Sequence, residues 1–164
     1  MLSLGRELAD RFRMPSLPDS DQGGLVFLHG TLGAGKTTLC RGLVQSLGHA
    51  GAVKSPTYTL VEEYSLPALT VCHFDLYRLG DPEELEYMGI RDYLDGHALC
   101  LVEWPEQGMG VLPSPDLDVT ITESNAGQAR VITLQSQSRL GERWLCGLSG
   151  SALSDSAADA SEDA

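Results

Sequence analysis

Residues 29–43, "HGTLGAGKTTLCRGL", constrain this chain more than any other stretch. Gly30, four further residues, Gly35, Lys36 and Thr37 fit the pattern G-x-x-x-x-G-K-[ST]. Glycines let the backbone curl so that several N–H groups aim at one point. A helix that begins at Lys36 adds unpaired N–H groups and partial positive charge. Lys36 supplies a mobile cation for the outer phosphates, and the Thr37 hydroxyl suits a magnesium shell, which takes oxygen ligands. The motif lies between an apolar run, "LVFLH", and a helical pattern from about Lys36 to Leu47, the context that it requires. The chain has only two lysines against nine arginines, and one of the two falls on the motif. These features predict a phosphate cradle, with ATP as the default nucleotide and Mg2+ as its counter-ion.

The remaining pattern predicts the sheet that carries this loop. "YTLVEEY", "LTVCHFDLY" and "ALCLVEW" read as strands, the second ending near Asp75 and the third at Glu103. "DLDVTITES" and "ARVITLQS" alternate and are joined by "NAG", as in a hairpin. Leu4, Leu8 and Phe12 have helical spacing. "DPEELEYMG" has a cap in Asp81, a proline at the first helical position, two acids in the first turn and a stop at Gly89. "RLGERWLCGL" reads as a last helix. The expected fold is α/β, a P-loop NTPase-like sheet with a parallel core, antiparallel edge strands and helices on both faces. Residues 1–150 are expected to form a single P-loop ATPase domain. Residues 151–164 carry four acids, no base and almost nothing to bury, and are expected to be a disordered acidic tail.

Charge and cysteine usage narrow the function. The 23 acidic residues against 11 basic ones give a net charge of -12. Such a surface repels phosphate backbones, so unaided nucleic-acid binding is not expected. The apolar runs are too short for a membrane span. Cys40, Cys72, Cys100 and Cys146 lack zinc spacing and read as reduced thiols in a cytoplasmic protein. Guanine readers carry N-K-x-D, and the single asparagine, Asn125, is followed by alanine. The arginines after the motif are widely scattered, which weakens a small-molecule kinase. None stands obviously as an arginine finger, Arg78 being nearest.

A P-loop enzyme needs a second acid at a strand end. Asp75 and Glu103 both qualify, because neighbouring parallel strands bring their carboxyl ends to one edge. Chemistry alone leaves open which of them touches the metal. "KSPTYTLVEEY" gathers Lys54, Ser55, Thr57 and Tyr58 on the connection that senses the γ-phosphate in other P-loop folds. A plain proline turn before a strand is the alternative reading of that segment.

Together, "GTLGAGKTT", "KSPTYTLVEEY", "HFDLYRLGDPEELEYMGIRDYL" and "LVEWPEQG" resemble, in order and spacing, the bacterial TsaE ATPases, formerly YjeE. The likeness runs from about Leu4 to Leu148. It implies a small cytoplasmic ATPase needed to make N6-threonylcarbamoyladenosine at position 37 of tRNA. Such proteins join the TsaB–TsaD heterodimer, and their ATP hydrolysis supports its turnover. A separate enzyme makes the threonylcarbamoyl-adenylate, and tRNA is met only through partners. Carried over by position, the resemblance places Gly33, Ala34, Gly35, Lys36, Thr37 and Thr38 on the phosphates. It puts Thr37 and Glu103 on Mg2+ and Trp104 beside the nucleotide. Lys36, Asp75 and Thr57 are the implied catalytic residues, with Ser55, Thr57 and Tyr58 in a switch-like loop. The "DPEEL" helix and "RDYL" are implied to frame the same edge. The chain begins almost inside its first helix, so residues on the adenine side are not assigned. Two other functions are compatible with the motif: a nucleotide-gated binding module, and a small-molecule kinase.

Overall fold

A computed structural model describes residues 1–13, 23–67, 69–124 and 127–148. The acidic tail, residues 151–164, lies outside the described residues, as does most of the proline-containing loop before the first strand. Six strands form one sheet: β1 (Gly24–His29), β2 (Val61–Ser65), β3 (Thr70–Asp75), β4 (Ala98–Glu103), β5 (Leu117–Ser124) and β6 (Ala129–Ser136). Their order is β2-β3-β4-β1-β5-β6. The inner strands β3, β4, β1 and β5 are parallel. The edge strands β2 and β6 run antiparallel to β3 and β5. This is the expected α/β sheet with a parallel core and antiparallel edges.

Strands β1, β3 and β4 are nearly continuous apolar runs because both faces are covered, whereas β5 alternates and buries one face. Alternation along β1, β3 and β4 sends their residues to two separate cores. On one face, Val26, Leu28, Val71, Leu99, Leu101, Leu117, Val119 and Ile121 pack under α1 (Leu2–Phe12) and α2 (Lys36–Ser46). On the other, Leu25, Cys72, Phe74, Cys100 and Val102 meet Leu76, Leu79, Leu85 and Ile90. Leu85 belongs to α3 (Glu83–Tyr87) and Ile90 to α4 (Ile90–Tyr93). The expected Asp81 cap forms. Its Oδ1 accepts from the N–H of Glu83, and Glu84 Oε1 accepts from the N–H of Asp81, a reciprocal capping box. Gly89 follows with φ +78°, the left-handed turn that a glycine tolerates.

Helix α1 buries Leu4, Leu8 and Phe12, the spacing read from the sequence. It lies very close to α2: a Cβ on Gly5 would stand 2.7 Å from the Leu43 nitrogen, and one on Gly42 would stand 2.9 Å from the Leu2 carbonyl oxygen. Helix α5 (Arg139–Leu145) closes this face, with Trp144 edge-on to Phe12 at 4.5 Å between centroids. Arg11 donates to the carbonyls of Cys146 and Gly147 at 2.8 and 2.9 Å, fastening the end of α5 to α1. The consequence for function is positional. Strand β1 delivers the glycine loop directly into α2, and β4 and β3 end beside it.

The second strand departs from the sequence reading. "YTLVEEY" is expected to be extended from Tyr58, but β2 starts at Val61. Residues 57–60 turn instead, with the N–H of Leu60 donating to the Pro56 carbonyl at 2.8 Å and Leu60 at φ +66°. The cause is a competing set of bonds: Ser55 and Thr57 donate to Asp75 rather than letting the backbone run on as a strand.

Candidate functional site

A cavity of about 470 Å³ opens at the carboxyl ends of β1, β3 and β4. Gly33, Ala34, Gly35, Lys36, Thr37 and Thr38 line one wall. Asp75, Glu103 and Trp104 line another, and Ser55, Thr57 and Tyr58 a third. The residues expected to hold phosphate and metal or to act in catalysis, with Ser55 and Tyr58, therefore border one space, whereas Lys54 lines a neighbouring cavity. No residue of α3 or α4 lines it, so the "DPEEL" and "RDYL" segments support the sheet from the opposite face.

The glycine loop has the shape its composition predicts. Gly33 and Gly35 take φ +78° and +107°, and a Cβ at Gly33 would meet nothing within 4 Å. No side chain caps α2, so the N–H groups of its first turn face the cavity without side-chain partners. Lys36 is 4% exposed. Its Nζ donates to the carbonyls of Gly30 and Thr31 at 2.6 and 2.9 Å and stands 4.1 Å from the Trp104 ring centroid. Burial lowers the Lys36 pKa from its ordinary value, against the pull of Glu103, Asp75 and Glu106. Trp104 reaches this position through a left-handed backbone, φ +57°, immediately before Pro105 opens a short 3-10 turn (Pro105–Gly108). For an L-residue that conformation costs roughly 1 kcal/mol or more.

The two strand-end acids face α2 but hold different elements. Thr37 Oγ1 donates to Glu103 Oε1 at 2.8 Å, joining the first turn of α2 to the end of β4. Asp75 Oδ2 accepts from the hydroxyls of Ser55 and Thr57, the latter at 2.9 Å, and its Oδ1 accepts from the N–H of Tyr77 at 3.0 Å. The backbone N–H of Asp75 also donates to the Leu60 carbonyl at 3.1 Å. Asp75 thus holds the whole Ser55–Leu60 turn against β3. Asp75 and Glu103 are 4% and 2% exposed. Arg78 lines the cavity with its guanidinium 4.5 Å from the Tyr58 ring centroid and donates to the Tyr58 hydroxyl.

Three groups near the site carry weak signals in the sequence. His73 is fully buried on β3, and its Nε2 lies 2.8 Å from Glu103 Oε1. Among the described residues its Nδ1 has no partner, and a buried unpaired polar atom costs about 1–3 kcal/mol. The available signal was a histidine inside an apolar strand, two residues before Asp75 and so on the same face. His29, at the end of β1, donates to Asp118 of β5 at 2.7 Å and steadies the strand that feeds the loop. Arg130 of β6 donates to the Gly33 carbonyl at 3.4 Å, a link across 97 residues that no local pattern announces.

The arrangement can hold a polyphosphate and a hard divalent cation. Its amides and lysine match anionic oxygens. Its metal-facing donors, a threonine hydroxyl and two carboxylates, are all oxygen, as magnesium prefers. Among the described residues nothing donates to Glu103 Oε2, which leaves one carboxylate oxygen available.

The chain matches a family model described as "Threonylcarbamoyl adenosine biosynthesis protein TsaE" over residues 1–132. It is 54% identical over 125 residues to the tRNA threonylcarbamoyladenosine biosynthesis protein TsaE of Haemophilus influenzae, covering 76% of this chain and 78% of that one. It is 37% identical over 109 residues to the protein of the same name from Bacillus subtilis, covering 66% and 68%. In three dimensions it is similar to the crystal structure of Bacillus subtilis YdiB, with a TM-score of 0.67 and 28% identity over 88% of this chain and 86% of that one. No helix among the described residues is long and apolar enough to cross a membrane.

Proposed function

Given that this chain belongs to the TsaE family of threonylcarbamoyl adenosine biosynthesis proteins, we propose that it serves tRNA N6-threonylcarbamoyladenosine formation by binding and hydrolysing Mg-ATP. The observation that carries this reading is the Thr37–Glu103 hydrogen bond at the uncapped start of α2. It sets two oxygen ligands beside a buried lysine and a ring of open backbone amides.

Residues 33–38 hold the phosphates, with Lys36 moving from its own loop carbonyls to the β,γ-oxygens. Thr37 and Glu103 hold Mg2+, which when bound offsets charge on those oxygens. Asp75 and Thr57 form the wall from which the attacking water is oriented, since Asp75 already accepts from the Thr57 hydroxyl. Trp104 flanks the phosphates and shields Lys36 from solvent. Residues 1–150 act as a single ATPase domain.

The partner is the TsaB–TsaD heterodimer, met in the cytoplasm, with tRNA gripped by those subunits rather than by this acidic chain. The two arginines nearest the glycine loop are both engaged, Arg130 with the Gly33 carbonyl and Arg78 with Tyr58. Hydrolysis by the isolated chain is therefore slow and rises when partners bind. A nucleotide-gated binding module is favoured by one observation: Asp75 holds the Ser55–Leu60 turn by side chain and backbone together, so occupancy of the cavity is coupled to that exposed loop.

Phosphate release measured before and after mixing with the TsaB–TsaD pair tests the proposal. Stimulation on association is expected. Neither association nor stimulation would remove it. Repeated rounds of tRNA modification with a non-hydrolysable ATP analogue would favour the gated module instead.

A further inference from the structure

We propose that His73 is the positioning residue of the metal-binding carboxylate: by donating from Nε2 to Glu103 Oε1 it sets how tightly the site holds the divalent cation of its nucleotide. This rests on the reading of the site given under the proposed function.

Along β3, Val71, His73 and Asp75 point toward α2, and on β4 so do Leu99, Leu101 and Glu103. Position 73 is thus a core position flanked by aliphatic residues, and it is fully buried. Among the described residues its ring makes one polar contact, to Glu103 Oε1 at 2.8 Å, and Nδ1 has no partner. An aliphatic residue would fill such a place without orphaning a nitrogen, so core packing does not explain the imidazole. A carboxylate can only accept, which places the ring proton on Nε2.

The geometry divides the labour of one carboxylate. Oε1 receives two donors, Thr37 Oγ1 and His73 Nε2, each at 2.8 Å. Oε2 receives none from the described residues, and Glu103 lines the cavity. Thr37 is itself needed by the cation, so its hold on Glu103 changes when metal arrives. His73 does not line the cavity, so a ligand bound there does not compete for its contact with Glu103. It is the fixed anchor that stops the glutamate from rotating, the role that outer hydrogen-bond partners play behind metal ligands.

Cys40 lies one helical turn after Thr37, and its Sγ, a His73 ring nitrogen and a Glu103 oxygen all fall within 4.8 Å of one another. That set does not make a second metal site. The nitrogen and oxygen are already bonded to each other, and burial, with Glu103 and Asp75 nearby, pushes the Cys40 thiol well above its ordinary pKa. The thiol completes the packing around the anchor.

The test is an EPR titration of Mn2+ into the full-length chain with ADP, for wild type, H73Q, H73N and H73F. Glutamine places an amide N–H near the Nε2 position, whereas asparagine reaches only as far as Nδ1. H73Q should keep Mn2+ affinity close to wild type. H73N and H73F should weaken it about 10–100-fold. Affinity for ADP in the presence of EDTA should stay unchanged, which a general loss of packing would not allow. The inference is overturned if H73N and H73F bind Mn2+ as tightly as wild type, or if H73Q is as weak as they are. One equivalent of zinc in the purified chain, lost in C40S, would also overturn it. If wild type binds neither ADP nor Mn2+ with ADP, the reading of the site itself falls first.

Discussion

Asp75 and Glu103 stand directly opposite one another across the parallel β3–β4 pair, yet their carboxylates secure different halves of the site. Glu103 holds the first turn of α2 through Thr37. Asp75 holds the Ser55–Leu60 turn through two hydroxyls and a backbone bond. Hydrogen-bonded strands fix the separation of these two acids, so adjustment to a ligand falls to the loops that they grip.

The first prediction concerns the cation. Among the described residues Lys36 is the only ammonium lining the cavity, and Lys36→Ala removes it along with one donor to each of the Gly30 and Thr31 carbonyls. Phosphate release should fall by about 100-fold or more. Wild-type turnover in this variant would refute the site assignment.

The second prediction concerns Asp75. Asp75→Ala removes the acceptor of the Ser55 and Thr57 hydroxyls and of the Tyr77 N–H. Turnover should drop about 100-fold. Limited proteolysis should cut faster between residues 55 and 60, because the turn loses its hold on β3. Unchanged cleavage would show that the backbone bond from Asp75 suffices.

The third prediction is structural. Gly5→Ala puts a methyl group 2.7 Å from the backbone of α2, and backbone cannot step aside as a flexible side-chain end can. Helix α1 must shift outward, at about 1–3 kcal/mol. Urea denaturation should show the loss in the midpoint, with little change in slope. A midpoint equal to wild type would mean that α1 does not pack as described.

The fourth prediction follows from burial of Lys36. Its pKa in the folded chain lies below the ordinary 10.5. In the alkaline window between the two values, the unfolded chain binds more protons than the folded one. Stability from this group therefore rises with pH through that window, and the penalty is fully present below the folded pKa. Lys36→Met keeps the stem and removes the proton. Its stability should climb less steeply than that of wild type as pH approaches 10.5. Parallel curves from denaturation at a series of alkaline pH values would contradict the assignment.

Local chemistry made much of this molecule readable. The glycine loop, the apolar strands and the Asp81 capping box each depend on residues within a few positions, and the acids at 75 and 103 end buried strands. What escaped depends on contacts between distant segments. Tyr58 and Thr59 favour extended backbone by their side chains, but bonds from Ser55 and Thr57 to an acid some 20 residues away turn that stretch instead. His73 is silent without the register that places it beside Glu103, and Arg130 reaches Gly33 only because β6 closes the far edge of the sheet.

The ammonium that sits 4.1 Å from the Trp104 ring centroid is the same one that a bound phosphate would recruit. Its departure would change the field on the indole and hence its emission. The other indole, Trp144, is buried against Phe12 at the start of β1 and would contribute a steady background. The chain thus carries a built-in optical gauge of occupancy, readable without a label and silenced in Trp104→Phe.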